Sequence, residues 1–235
     1  MELNKIYNND FRDKSKEIND NVFNCIIIDP PYSGAVNKTT SGTRMRQEEG
    51  NHIDYDDMTE RTFLKFMGPI LKELYRVSKI GGHFYCFSDW KQLRNMMDLI
   101  ELSSFKIINL ICWDKEHFGL GSGYRPQHEF IIVASKGLPN SFNLQNLANV
   151  IRCKKVYKKT HPHEKPQELI EKLILNSTNK GDLVLDSFCG TGVVPLICKK
   201  HDRNFMGYEL SATYCHIANR RIAEAQNTLF RAEGV

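Results

Sequence analysis

Apolar positions along this chain fall into short unbroken runs alternating with longer stripes at helical spacing. Ile26-Ile27-Ile28 is too short for a helix and too apolar for a half-exposed strand, so it predicts a central strand of a parallel sheet. The run stops at Asp29-Pro30-Pro31-Tyr32. Tandem prolines donate no ladder hydrogen bonds, so the strand must end there. Residues 3–7, 83–87, 105–113, 130–134, 182–186 and 204–208 read as six further strands. Between them, residues 59–78 carry Phe63, Phe66, Met67, Ile70, Leu71, Leu74 and Val77 on one side of an amphipathic helix. Gly81-Gly82 would close the connection after it, and Ser88 or Asp89 would cap a helix over 90–102. Residues 13–19, 167–176, 193–200 and 213–226 predict the remaining helices. Strands alternating with helices point to the α/β class.

Two stretches lose the rhythm. Residues 33–58 are rich in Gly, Thr, Ser and Arg, including Arg44 and Arg46, and follow the strand-ending acid directly. A structureless loop of that length in a compact domain is usually functional or mobile. Residues 137–160 gather Arg152, Lys154, Lys155, Lys158 and Lys159 around Tyr157, a mixture suited to a phosphate backbone. Arg125 adds a cation at the end of the Gly-rich stretch 114–125. The spelling Gly119-Leu120-Gly121-Ser122-Gly123 lacks the dinucleotide fingerprint spacing and precedes no clear helix.

Composition narrows the picture. A chain of 235 residues fits one α/β domain, here taken as residues 1–235 with the two irregular segments as loops that touch a partner. The net charge of +4 permits a nucleic-acid partner without demanding one. Seven cysteines, odd in number and with no C-x-x-C pair, suggest reduced thiols in a cytoplasmic setting. No apolar run approaches bilayer length and no charged-then-apolar leader is visible, so a soluble intracellular protein is expected. His161, His163 and Glu164 resemble part of a metal set, but no further ligands stand near, and no metal is expected.

The candidate chemistry sits at two strand ends. Asp29 lies at the carboxyl end of a buried strand, where open α/β sheets place ligands. An exocyclic amine on a nucleobase is planar, with its lone pair delocalised into the ring, and is a poor nucleophile. An Asp29 carboxylate and a Pro30 carbonyl could each accept one amine proton and localise that lone pair, while Tyr32 offers a face for stacking. The second stretch, Asp186-Ser187-Phe188-Cys189-Gly190-Thr191-Gly192, is a strand end, a glycine turn and a helix start. Glycine there lets backbone approach a ligand closely. Glu209 ends the next strand about twenty residues on, the spacing at which an acid reaches ribose hydroxyls. A ligand with a ribose and no pyrophosphate fits this pattern, and S-adenosylmethionine is one.

These stretches together resemble the β-class amino-methyltransferases of DNA: Asp29-Pro30-Pro31-Tyr32 early, His161-Pro162-His163-Glu164-Lys165-Pro166 in the middle, and Asp186-x-Phe188-x-Gly190-x-Gly192 late. The likeness extends to Arg76-Val77-Ser78-Lys79-Ile80-Gly81-Gly82, Trp113-Asp114-Lys115 and Arg125-Pro126-Gln127-His128-Glu129-Phe130. It implies a Rossmann-like class I methyltransferase fold, a mostly parallel seven-stranded sheet with one antiparallel strand, and the catalytic half preceding the cofactor half. It further implies that Asp29, Pro30, Pro31 and Tyr32 bind and activate the target amine. Phe188, Cys189, Gly190, Thr191 and Gly192 would wrap the methionine part of S-adenosylmethionine, with Asp186 and Asp29 beside them. Glu209 would hold the ribose, Asp10 and Phe11 would lie by the adenine, and His161 and His163 near the methionine end. Arg44, Arg46, Arg125, Lys154, Lys155 and Lys158 would face double-stranded DNA, and a homodimer would enlarge a small reading surface. An Asp at the first motif position goes mostly with adenine N6 in that family, and a Ser with cytosine N4. Two departures fall in the cofactor loop: Ser187 stands where proline is usual, and Val193-Val194 follow Gly192 where Thr is usual. Glutamine methylation of a protein uses Asn rather than Asp at position 29, and a DNA-binding module without catalysis would not need Asp29, Tyr32, Gly190 and Glu209 together.

Overall fold

Strand β2 (Phe23–Ile28) lies inside the sheet, and Phe23, Cys25, Ile26, Ile27 and Ile28 are all inaccessible to solvent. Ile26 and Ile28 pack into one apolar layer, and Cys25 and Ile27 into the layer on the opposite face. A strand covered on both sides gains nothing from alternation, which is why its sequence is continuously apolar. The computed structural model describes residues 2–31, 59–119, 122–155 and 164–232, with side chains described through residue 225.

In chain order the elements are β1 (Lys5–Tyr7), α1 (Phe11–Lys14), β2, α2 (Glu60–Val77), β3 (Ser78–Ser88), α3 (Leu93–Leu102), β4 (Lys106–Asp114), β5 (His128–Ser135), β6 (Val150–Arg152), α4 (Gln167–Ser177), β7 (Leu183–Asp186), α5 (Val193–Lys200), β8 (Asn204–Tyr208) and α6 (Ala212–Ala232). The sheet has the order β1-β8-β7-β2-β3-β5-β4-β6. All neighbouring pairs are parallel except the two made by β5, which runs antiparallel to both β3 and β4. Phe63, Met67, Leu71 and Leu74 of α2, with Met96 and Ile100 of α3, cover one face. Leu169, Leu173 and Ile174 of α4, Val194 and Ile197 of α5, and Ala218 of α6 cover the other.

The fold class is the expected one, with eight strands rather than seven. The added strand, β6, lies inside the segment read as irregular and has only three residues. It pairs with β4 alone at the sheet edge, so no buried face imposed a pattern on it. Gly81-Gly82 does not close a connection. Strand β3 begins where α2 stops, with Ser78 opposite Phe23, and the glycines sit within the strand beside a register shift between Phe23 and Cys25. Helix α3 starts three residues later than expected, because the Asp89 carboxylate accepts the Gln92 N–H at 2.8 Å and holds a turn ahead of it. The first polar stretch divides into the single turn α1 and a 3-10 turn at Ser15–Glu17.

Close approach fixes one glycine of the central sheet. A Cβ on Gly207 in β8 would stand 2.5 Å from Cys189 Sγ and 3.1 Å from Ile6 Cγ1. Gly207→Ala therefore overpacks the junction of β1, β8 and the turn after β7. The expected loss is about 1–3 kcal/mol in urea unfolding, and an unchanged midpoint would contradict this packing.

Candidate active site

The chain leaves β2 for β3 on one side and leaves β7 for β8 on the other, while β2 and β7 are themselves parallel neighbours. That reversal opens a crevice at the carboxyl ends of the two strands, the place where open α/β sheets bind ligands. Asp29 follows the last residue of β2 and Asp186 is the last residue of β7, so the two acids flank the crevice.

The turn after β7 is wound around its own acids. Asp186 Oδ1 accepts the Phe188 N–H at 2.9 Å, and Cys189 donates its N–H to the Tyr208 carbonyl at 2.9 Å. Gly190 and Gly192 have φ of 50° and 78°, the left-handed region that favours glycine. Glu209, just past β8, closes the turn: its Oε2 accepts the Gly190 N–H at 2.8 Å and its Oε1 the Ser211 N–H at 2.8 Å. Arg221 of α6 donates to the Thr191 carbonyl and hydroxyl at 3.0 Å each and to Glu164 Oε1 at 2.8 Å, tying the turn to the segment before α4. The buried Ser187 hydroxyl has no hydrogen-bond partner among the described residues. Burial pushes the Asp186 carboxyl up to about 8; the Phe188 N–H opposes this, and the nearby charges of Asp29 and Glu209 add to it. The Cys189 thiol is also raised well above its ordinary value by burial, so it is no nucleophile.

Asp10 caps α1 through the Arg12 N–H and pairs with the Arg12 guanidinium at 2.5 Å. Phe11 is buried edge-on against Tyr208, the residue before Glu209, with ring centroids 5.3 Å apart. Arg12 lies over Phe66 at 4.8 Å, and Phe66 meets Phe188 edge-on. The expected cofactor residues Asp10, Phe11, Asp186, Phe188, Cys189, Gly190, Thr191, Gly192 and Glu209 are thus linked by contacts around one end of the sheet. They fit a cationic ligand carrying hydroxyl groups. The turn brings its backbone to the crevice, Asp186 has no cation beside it among the described residues, and Glu209 sets a second acid at the same turn.

Across the crevice, the Asp29 side chain is one-quarter exposed, Pro30 is buried and Pro31 half-buried. Lys165 Nζ stands 2.7 Å from Asp29 Oδ2 and 3.1 Å from Glu129 Oε2. Glu129 Oε1 in turn meets Lys115 Nζ at 2.7 Å. Sequence reasoning assigned no role to Lys165, Glu129, Lys115 or Arg221; for the first three the available signal was their place in stretches that resemble the family's. The Lys165 and Lys115 charges pull the Glu129 carboxyl down to about 2 against the opposing effect of burial.

Of the expected DNA-facing cations, Lys154 and Lys155 are exposed just beyond β6. Arg125 is exposed too, but it already donates to the Gly119 carbonyl at 2.7 Å and stacks over Phe118 at 4.1 Å. Tyr32, Arg44, Arg46, Lys158, His161 and His163, with the whole segment 33–58, lie outside the described residues. Among the described residues no group of three His, Cys, Asp or Glu could hold a metal ion, and no helix is long and apolar enough to cross a membrane.

Residues 23–220 match a family model described as DNA methylase. The type II methyltransferase M.HpaI of Haemophilus parainfluenzae is 28% identical over 233 residues, covering 88% of this chain and 70% of that protein. The M1.HpyAVI–SAM complex has a similar fold, with a TM-score of 0.70 at 23% identity over 93% of this chain and 98% of that one. The PvuII DNA methyltransferase, described as cytosine-N4-specific, reaches a TM-score of 0.73 at 15% identity over 94% and 90% of the two chains.

Asp186 gives a pH signature. Its folded value of about 8 lies above the ordinary 3.8, so across that window the folded state keeps a proton that the unfolded chain has lost, and stability falls as pH rises. Asp186→Asn removes this dependence. The cofactor-free variant is expected to unfold about 3 °C or more above the wild type near pH 8, with the gap closing toward pH 4. A gap independent of pH in thermal scans would contradict the assignment.

Proposed function

This chain belongs to the DNA methylase family, whose members depend on S-adenosylmethionine, and on that footing we propose that it methylates the N6 amine of an adenine flipped out of double-stranded DNA. The observation that carries the reading is the placement of Asp29-Pro30-Pro31 at the carboxyl end of a doubly buried strand, next to the acid-bound glycine turn of β7. A base stacked in a duplex cannot reach such a crevice, so the target nucleotide has to leave the helix.

S-adenosylmethionine, when bound, supplies a methyl group already activated on a sulfonium. The chain's part is therefore positioning and proton acceptance. Asp29 accepts a hydrogen bond from one N–H of the target amine and the Pro30 carbonyl from the other, drawing the nitrogen out of conjugation with the ring. Asp29 then takes the proton that the amine loses on gaining the methyl group. Tyr32 stacks on the flipped base. The turn from Phe188 to Gly192 would hold the methionine part, a role the family resemblance extends to His161 and His163. Glu209 would receive the ribose hydroxyls, and Asp10 with Phe11 would lie by the adenine. Lys154, Lys155 and Arg125, together with Arg44, Arg46 and Lys158, meet phosphates. Adenine is preferred because position 29 is Asp; the same geometry would serve cytosine N4.

The deciding experiment incubates the protein with tritiated S-adenosylmethionine and genomic DNA, then digests the DNA to nucleosides. Label in N6-methyladenosine supports the proposal. Label in N4-methylcytosine replaces adenine by cytosine, and label found only on protein overturns the DNA reading. Asp29→Ala is expected to lower kcat by about 10²–10⁴-fold while calorimetry still detects cofactor binding.

Phosphate contact makes a separate forecast. Replacing Lys154 and Lys155 together by Ala should reduce the slope of log affinity against log salt by about 2. An unchanged slope in DNA-binding titrations would remove these lysines from the interface.

A further inference from the structure

Three charged side chains with no role assigned so far lead in a line to Asp29. Lys115 ends the Trp113-Asp114-Lys115 run, Glu129 lies in the His128-Glu129-Phe130 run at the start of β5, and Lys165 precedes α4. Their side chains form a line of alternating charge: Asp29, Lys165 at 2.7 Å, Glu129 at 3.1 Å, then Lys115 at 2.7 Å. We propose that Lys165 is a positioning residue for methyl transfer, its ammonium holding the Asp29 carboxylate in the orientation in which it meets the amine, with Glu129 and Lys115 holding Lys165 in place. This rests on the role given to Asp29 above.

Each link of the line is anchored by backbone. Glu129 is registered opposite Trp113 in the β4–β5 ladder, and the Lys115 N–H donates to the Gln127 carbonyl at 3.0 Å. Lys165 is followed by Pro166, whose carbonyl accepts from Leu169 and Ile170 in the first turn of α4. The Lys165 side chain is only 9% exposed and passes over the Phe87 ring at 4.9 Å, so little room is left for other rotamers. A carboxylate by contrast turns easily about its last torsion, which has a broad profile. A cation held from behind removes that freedom before the substrate arrives. The four formal charges cancel, so the line can stand where water is scarce. Burial acts to discharge Lys165, and Asp29 and Glu129 together overcome it, raising its pKa.

The test compares the full-length wild type with Lys165→Met, Lys165→Arg and the doubly neutral Lys165→Met/Glu129→Gln. The last removes both charges of one pair and guards against a fold lost to an unpaired buried Glu129. Measured are kcat and KM for methylation of DNA, the cofactor dissociation constant by calorimetry, and the thermal midpoint. Lys165→Met and the double variant should lose about 100-fold in kcat and bind S-adenosylmethionine as the wild type does. Lys165→Arg should recover part of the loss. Wild-type kcat in the folded double variant, or losses that follow cofactor affinity and midpoint rather than kcat, would overturn the inference alone. A wild-type chain that transfers no methyl group to DNA would overturn the reading beneath it as well.

Discussion

Removing a carboxylate from water costs several kcal/mol unless its hydration is replaced. This protein gathers Asp29, Glu129, Asp186 and Glu209 at one end of its sheet. Each is compensated differently. Asp29 faces an ammonium, Glu129 sits between two, and Glu209 accepts two backbone N–H groups. Asp186 has the Phe188 N–H and no cation among the described residues, and burial pushes it up to about 8. The crevice is therefore balanced on its Asp29 side and short of positive charge on its Asp186 side. A positively charged ligand is the natural complement of that second side, in keeping with the dependence of the family on a sulfonium cofactor.

The covalent order of the chain hides this arrangement. Asp29 and Asp186 are far apart in sequence and become neighbours because β2 and β7 pair. Likewise Glu164 and Thr191 belong to different motifs and are joined by Arg221, a residue of the last helix. Contacts of this kind are set by topology, which a single sequence carries only through the likeness of its motifs to those of a family.

What was readable from the residues were the parts under strong local constraint. The Ile26-Ile27-Ile28 run, the stripe of α2 and the glycine turn after β7 each obey one simple requirement: burial on both faces, burial on one, or a left-handed backbone. Strand β6 escaped because three edge residues need no apolar pattern. The Gly81-Gly82 pair misled because glycine marks a strand irregularity as readily as a helix end. Lys165 and Glu129 escaped as catalytic support because a charged residue in a sequence is presumed solvated; their burial is visible only once β3, β5 and the start of α4 are assembled around them.

The single reversed strand gives the fold an option that an all-parallel sheet lacks. Because β5 runs opposite to its neighbours, it enters the sheet at the catalytic edge, and the β4–β5 hairpin stands there as a post, with Phe130 opposite both Ser88 and Cys112. Register on both flanks at Phe130, and with Trp113 on one flank, pins Glu129 whatever the length of the tip beyond it. Insertions or deletions in that tip, which carries the exposed Phe118, Tyr124 and Arg125, would change how far the post reaches and leave the acid–base geometry unmoved. Descendants of one ancestor could in this way differ in the surface beside the crevice while inheriting the same arrangement within it.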